Sequence, residues 1–173
     1  ALATETDSRK KQKEVADSER LKLITLLLIH LVKKQAVLKD PKAKGVKPVA
    51  FVKVKNDTTY TQKIYDYIQN ELSDDVNNLD VIIEKAASQD IEITSLMTSL
   101  IQDLFRGDID KLRKGLRQVC KNSIFYHGKS DQMTAKQFLE IRKNDVEIVV
   151  YMEKLDEGID LPNIYTMAVI NDK

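Results

Sequence analysis

Through residues 7 to 39, apolar side chains recur at steps of three and four positions on a charged background. This spacing predicts one long amphipathic helix whose N-terminus is frayed. Its apolar positions are Val15, Leu21, Ile24, Leu28, Leu31 and Val32. The basic segment 39 to 48 contains prolines and a glycine, which predicts a loop. Residues 1–47 are therefore interpreted as an N-terminal linker, made of a helix and a basic loop.

Beyond this linker the hydrophobic pattern changes to short, nearly continuous apolar runs. Such runs are typical of strands buried on both faces of a parallel sheet. They lie at residues 49 to 54, 123 to 127, 146 to 151 and 165 to 170. Helical patterns separate several of them, so the sequence predicts an α/β fold with right-handed crossovers.

Two of the separating helices have recognisable start signals. After the first strand, Asp57 or Thr58 can cap a helix. After the second strand, Thr134 and Gln137 have the spacing of a capping box. The apolar residues that we expect this later helix to bury are Phe138, Leu139 and Ile141.

Residues 73 to 122 contain three more helical patterns and no convincing strand. Their apolar positions are Leu79, Ile82, Ile83 and Ala86, then Leu96, Met97, Leu100, Ile101 and Leu104, then Ile109, Leu112, Leu116 and Val119. Gly107 and Asp108 supply a helix end and a cap between the last two. We interpret 73–122 as a helical insertion in a unit spanning 48–173, which either docks a partner subunit or lengthens the fold.

Composition narrows the class of protein. The chain has 173 residues, a length that fits one domain. Its net charge is +1, so its overall charge does not attract nucleic acid. The single Cys120 is expected to be a buried thiol in a reducing cytosol. No apolar run approaches the roughly 20 residues that a bilayer requires, and no signal peptide is apparent. We expect a cytoplasmic protein without a membrane partner.

The chain lacks an initial Met and stops after an apolar run, which suggests a fragment.

In open parallel sheets, ligands bind outside the carboxyl ends of the strands. The loop after the first strand contains Lys55 and Asn56, and the loop after the second contains His127 and Gly128. The loop that follows the third strand reads Glu-Gly-Ile-Asp-Leu-Pro over residues 157 to 162. Its glycine lets the backbone approach a phosphate, and its aspartate can accept hydrogen bonds from a ribose. Alternatively, these residues only shape and cap a turn.

The run 157 to 162 resembles motif V of superfamily 2 helicases. Residues 47 to 56 resemble motif IV of the same motors, and residues 124 to 128 resemble their strand followed by His-Gly. The elements occur in the family's order and cover about two thirds of the chain. Within the superfamily, the chain is most similar to DEAD/DEAH-type members and to the motor subunit of type III restriction enzymes. The resemblance implies a second RecA-like domain, a parallel sheet flanked by helices.

In that family, two RecA-like domains clamp ATP and Mg²⁺ between them while a nucleic-acid strand lies across both. The resemblance implies that Gly158 and Asp160 approach the nucleotide. It further implies that Lys55, Asn56, His127 and Gly128 contact phosphates of the strand rather than base edges. The implied partners are the first RecA-like domain, single-stranded or duplex DNA or else RNA, and a modification subunit.

Several family elements are missing from this sequence. It contains no Gly-x-x-x-x-Gly-Lys-Ser/Thr, no Asp-Glu-x-His or Asp-Glu-Ala-Asp, and no Gly-Arg-x-x-Arg after motif V. The Thr-Asp that often precedes motif V is replaced by Met152 and Glu153. We therefore expect no catalytic site within this chain, and no ATP hydrolysis by it alone.

One alternative function remains open at this stage. It is a non-catalytic interaction module, a helical protein with a small α/β core that binds a protein through residues 73–122. A parallel sheet with the candidate loops on one edge would favour the motor, and a helical bundle would favour the module.

The two histidines, His30 and His127, are not expected to form a metal site, because no further ligand lies at the right spacing. A structural role in the long helix is favoured for His30.

Overall fold

The computed structural model describes residues 14–55, 57–78, 81, 91–128, 132–153 and 165–170. Their strands form one sheet in the order β2-β3-β1-β4, and every neighbouring pair is parallel. The strands are β1 (Val49–Val54), β2 (Ser123–Tyr126), β3 (Ile148–Met152) and β4 (Tyr165–Ile170). The predicted α/β class, a parallel sheet flanked by helices as in RecA-like domains, is confirmed.

Helices cover both faces of this sheet. They are α1 (Asp17–Lys39), α2 (Thr58–Asn70), α3 (Leu72–Asp75), α4 (Ile91–Phe105), α5 (Ile109–Lys121) and α6 (Gln132–Leu139). Short 3-10 turns occupy Pro41–Ala43 and Val76–Asn78. None of the helices within the described ranges is long and apolar enough to cross a membrane.

The larger core lies between one sheet face and helices α1, α2, α4 and α5. The smaller core lies on the opposite face, where Phe138 of α6 meets Phe51 edge-on at 6.4 Å and stacks on Tyr126 at 4.7 Å. The connection from β1 to β2 and the connection from β2 to β3 run in opposite directions along the sheet. Right-handed crossovers of opposite direction lie on opposite faces, as these do.

Helix α1 is more deeply buried than an amphipathic surface helix. Nearly every residue from 21 to 31 is buried because the sheet packs on one side of α1 and α4 packs on the other. A helix enclosed in this way is apolar on all sides rather than along one stripe. The helix begins at Asp17, later than predicted, and residues 14–16 before it are not helical. The predicted helical positions before residue 14 lie outside the described residues.

The segment 73–122 contributes directly to the larger core. Helix α5 buries Leu112, Leu116, Val119 and Cys120, and the end of α4 buries Ile101 and Phe105. The predicted cap is confirmed, because the Asp108 side chain accepts a hydrogen bond from the backbone of Lys111 at 3.1 Å. Of the first predicted pattern, Leu79, Ile82, Ile83 and Ala86 lie outside the described residues.

The region around α6 corrects two predictions. Thr134 lies inside α6, which begins at Gln132, so Thr134 is not the helix cap. Leu139, predicted to be buried, is 83% exposed, whereas Phe138 is half-buried and Ile141 is buried. The helix ends at Leu139 and the following turn directs Ile141 to the core, so Leu139 faces solvent.

Candidate functional site at the carboxyl edge of the sheet

Because all four strands are parallel, their carboxyl ends meet at one edge of the sheet. Lys55 follows β1, His127 follows β2 and Glu153 follows β3. Strand β3 lies between β1 and β2, so the ends that carry Lys55 and His127 are about 10 Å apart. The structure therefore brings these two predicted residues to the same edge, on either side of β3.

Lys55 occupies the turn from β1 into α2. Its side chain is exposed, and its backbone N–H donates to the carbonyl of Ile170 at the end of β4, at 3.1 Å. Asp57 then caps α2, as predicted, by accepting from the backbone of Tyr60 at 3.0 Å. An exposed ammonium beside a helix N-terminus favours an anion at this position. Asn56, between these residues, lies outside the described residues.

His127 and Gly128 follow directly after β2. Gly128 has a φ of +97°, a left-handed conformation that glycine adopts without a steric cost, and it is buried. His127 immediately before it is exposed, and its ring stacks on Phe125 with centroids 3.9 Å apart and planes 13° from parallel. The imidazole is therefore at the surface, stacked on the Phe125 ring beneath it.

Strand β3 leads towards residues 157 to 162, the run that resembles motif V. Met152 is buried at the end of the strand, where its Sδ accepts a hydrogen bond from the Thr58 hydroxyl at 3.5 Å. Glu153 is exposed at the edge. The predicted nucleotide residues Gly158 and Asp160 belong to the segment 154–164, which lies outside the described residues. Their positions relative to Lys55 and His127 stay predictions.

The amino edge of the sheet contains a buried charged cluster. Glu147 precedes β3 directly, and its carboxylate contacts His30 Nε2 at 3.2 Å and Lys34 Nζ at 2.6 Å. His30 is completely buried, so the structural role favoured for it is confirmed. Burial alone would raise the pKa of the Glu147 carboxyl, but hydrogen bonds from His30 and Lys34 outweigh burial and lower this pKa to about 2.

Lys47 extends this amino-edge cluster. Its ammonium donates to the carbonyl of Ile141, at 2.6 Å, and to the carbonyl of Asn144. Burial lowers the pKa of Lys47, and the nearby Glu147 and Asp145 oppose that effect. The contacts tie the segment before β1 to the turn before β3. Sequence reasoning missed this bond, because nothing local links positions that are 94 residues apart.

Other candidate chemistry is weak in the described part of the chain. Cys120 is buried, as predicted, and burial raises the pKa of its thiol to about 12, which disfavours the nucleophilic thiolate. No group of three or more His, Cys, Asp or Glu within the described ranges could hold a metal ion. A cleft of about 520 Å³ lies between α6 and the start of β2, and Lys121, Lys136 and Asp145 line it. None of the described candidate residues lines this cleft.

Comparisons with protein-family models, with curated proteins and with solved structures found no match for this chain. Function must therefore be inferred from the motif resemblance and from the side chains that the fold places at the carboxyl edge. Lys55 and His127 are the described residues that satisfy both criteria.

Proposed function

We propose that this chain is the second RecA-like motor domain of a superfamily 2 helicase or DNA translocase, of the kind found in type III restriction enzymes. The observation that carries the proposal is the exposure of Lys55 and His127 on the carboxyl edge of one parallel sheet. Both residues lie within segments that resemble helicase motifs. They flank β3, the strand that runs into the motif V resemblance at residues 157 to 162.

The chemistry of this edge suits a nucleic-acid backbone. Lys55 offers an exposed positive charge in the turn that leads into α2, whose own N-terminus is already capped by Asp57. Contacts of this kind recognise phosphates and fix the position of a strand without reading its sequence. A motor that moves along nucleic acid requires this property, because each step brings new bases to the same residues.

ATP and Mg²⁺ fit this chain only in part. The sequence has no phosphate-cradling loop, and at the described edge Asp57 already caps a helix while Glu153 is a single exposed carboxylate. These groups do not form a Mg²⁺ site, which takes clustered oxygen ligands. In the proposal the first RecA-like domain holds the metal and the phosphates. This chain adds Asp160 towards the ribose and Gly158 where backbone approaches phosphate, and alone it is inactive.

The rival function, a protein-interaction module that uses residues 73–122, has weaker support. Helix α5 and the end of α4 direct their apolar residues into the core of this chain. Leu96 of α4 is 44% exposed, but one exposed leucine is ordinary for a protein surface. The chain also has a parallel sheet with candidate loops on one edge, which is the arrangement expected of the motor.

The proposal is tested by ATP hydrolysis in the protein that joins this domain to a first RecA-like domain. Rates are measured with and without single-stranded DNA for the wild type, Asp160→Ala and Gly158→Val. We expect both variants to lose most strand-stimulated hydrolysis, because each removes a contact in the cleft between the domains. Lys44→Ala, at an exposed lysine in the loop before β1, is the control and should hydrolyse ATP normally.

Circular dichroism and denaturation midpoints must first show that the variants fold like the wild type. Unchanged hydrolysis in folded Asp160→Ala and Gly158→Val would refute the role of motif V. If the two-domain protein hydrolyses no ATP in any condition, the motor proposal fails and the interaction module becomes the better explanation.

A further inference from the structure

Three aromatic rings form a column at the end of β2. Tyr65 of α2 lies against Phe125 with centroids 6.1 Å apart, and Phe125 stacks on His127 at 3.9 Å. The Tyr65 hydroxyl donates to the carbonyl of Ser123 at 3.2 Å, which attaches this end of the column to the strand. Phe125 is only 4% exposed, whereas His127 is exposed. The middle ring is therefore buried, the Tyr65 ring is half-buried, and the His127 ring is exposed at the carboxyl edge.

The geometry decides which part of His127 a ligand meets. One face of the imidazole is covered by Phe125, nearly parallel to it, so the exposure of His127 is left to the other face and the ring edges. A ring held in this way loses little rotamer freedom when a second planar group stacks on it. Gly128, directly after the ring, takes a left-handed φ of +97°.

We propose that the outer face of His127 is a stacking platform for an unpaired nucleobase of a single strand. The inference rests on the proposed function and changes one part of it, since the motif resemblance implies a phosphate contact for this histidine. Every base has an aromatic face, so the platform accepts any sequence and suits a motor. In this arrangement Lys55, about 10 Å away across β3, contacts the backbone of the same strand.

The test compares two short oligonucleotides, an oligothymidylate and the same backbone with abasic sugars, by fluorescence anisotropy with the 173-residue chain. Stacking on an aromatic side chain contributes about 1–3 kcal/mol per base, so His127→Ala should weaken binding of the oligothymidylate about fivefold or more. The same variant should bind the abasic strand as the wild type does. His127→Phe keeps a planar ring and should stay within about threefold of the wild type.

Met133→Ala is the matched control. Met133 is 74% exposed on α6, and it is not one of the three rings of the column. It should bind both strands like the wild type. His127 is exposed, so its variants are expected to fold, and a denaturation midpoint checks this.

The possible failures are distinguishable. If His127→Ala weakens binding to both strands equally, or if His127→Phe is as weak as His127→Ala, the imidazole binds through its nitrogens and the platform is refuted. If the wild type binds both strands with equal affinity, the platform is also refuted, but the proposed function survives. If the wild type binds neither strand, the proposed function fails and the platform fails with it.

Discussion

At the amino ends of β1 and β3, polar side chains are buried or half-buried and are held by internal contacts, whereas at the carboxyl ends they are exposed to solvent. Glu147 holds His30 and Lys34 at the amino edge, and Lys47 holds backbone carbonyls there. At the carboxyl edge Lys55, His127 and Glu153 are exposed. The amino edge thus contains a cluster whose polar groups are consumed by internal contacts, whereas Lys55, His127 and Glu153 at the carboxyl edge can meet a ligand.

The difference separates structural charge from functional charge. Burying a charged group is costly unless it is paired, so the amino-edge cluster must stay intact for the fold to be stable. Exposed side chains contribute little to stability, so the fold does not require Lys55 or His127. We therefore expect substitutions at the amino edge to alter stability, and substitutions at the carboxyl edge to alter binding.

The largest effect is expected for Glu147→Ala. Removing the carboxylate leaves the fully buried His30 and the partly buried Lys34 without their partner, and leaving a buried polar group unsatisfied costs about 1–3 kcal/mol. Urea denaturation measures this loss in the free energy of unfolding. Glu153→Ala makes the same change at the exposed carboxyl edge and should stay within about 0.5 kcal/mol of the wild type. Equal losses in the two variants would contradict the contrast between the edges.

A smaller effect is expected when acid titrates Glu147. Its folded pKa of about 2 lies below the ordinary 4.5, so its contribution is complete above about pH 4.5 and is lost as the pH falls towards 2. By about pH 3 the loss amounts to roughly 2 kcal/mol. The groups that face this carboxylate are His30 and Lys34 on α1, with Lys47 and Cys120 nearby.

Denaturation midpoints of the wild type and Glu147→Gln at several pH values isolate this effect from the titration of other carboxylates. The Gln variant should be less stable than the wild type near neutral pH, and the two should converge in acid. Parallel curves over the whole range would show that Glu147 keeps its ordinary pKa in the folded state.

Much of the fold was predictable because its strongest signals are local. The bounds of β1 and β4 agree with the apolar runs, and Asp57 and Asp108 cap α2 and α5 as their positions suggest. Leu139 was wrongly assigned to the core because apolar spacing alone does not reveal where a short helix ends. The contact between His30 and Glu147 joins residues 117 positions apart, and no local pattern encodes it.

The candidate site was predictable to a different degree. The order of the strands depends on tertiary packing and could not be predicted. The parallel direction of the strands could be, and it puts Lys55 and His127 on the same edge, where ligands bind in such sheets. The stacking of His127 on Phe125 could have been suspected, because residues two apart on a strand share a face. Tyr65 could not, since it reaches the column from α2. Asn56, Gly158 and Asp160 lie outside the described residues, so their roles stay predictions.

The smallest effect on stability, and the clearest effect on binding, is expected for Lys55→Ala. The side chain is exposed, so the free energy of unfolding should change by less than about 0.5 kcal/mol. If Lys55 contacts a phosphate, affinity for single-stranded DNA should fall for every sequence, and the slope of log affinity against log salt should decrease by about one. Lys44→Ala removes the same charge from an exposed position before β1, near the amino edge, and controls for net charge. Equal losses of affinity in the two variants would indicate diffuse attraction to a charged surface, because only a localised phosphate contact makes the position of the lysine matter.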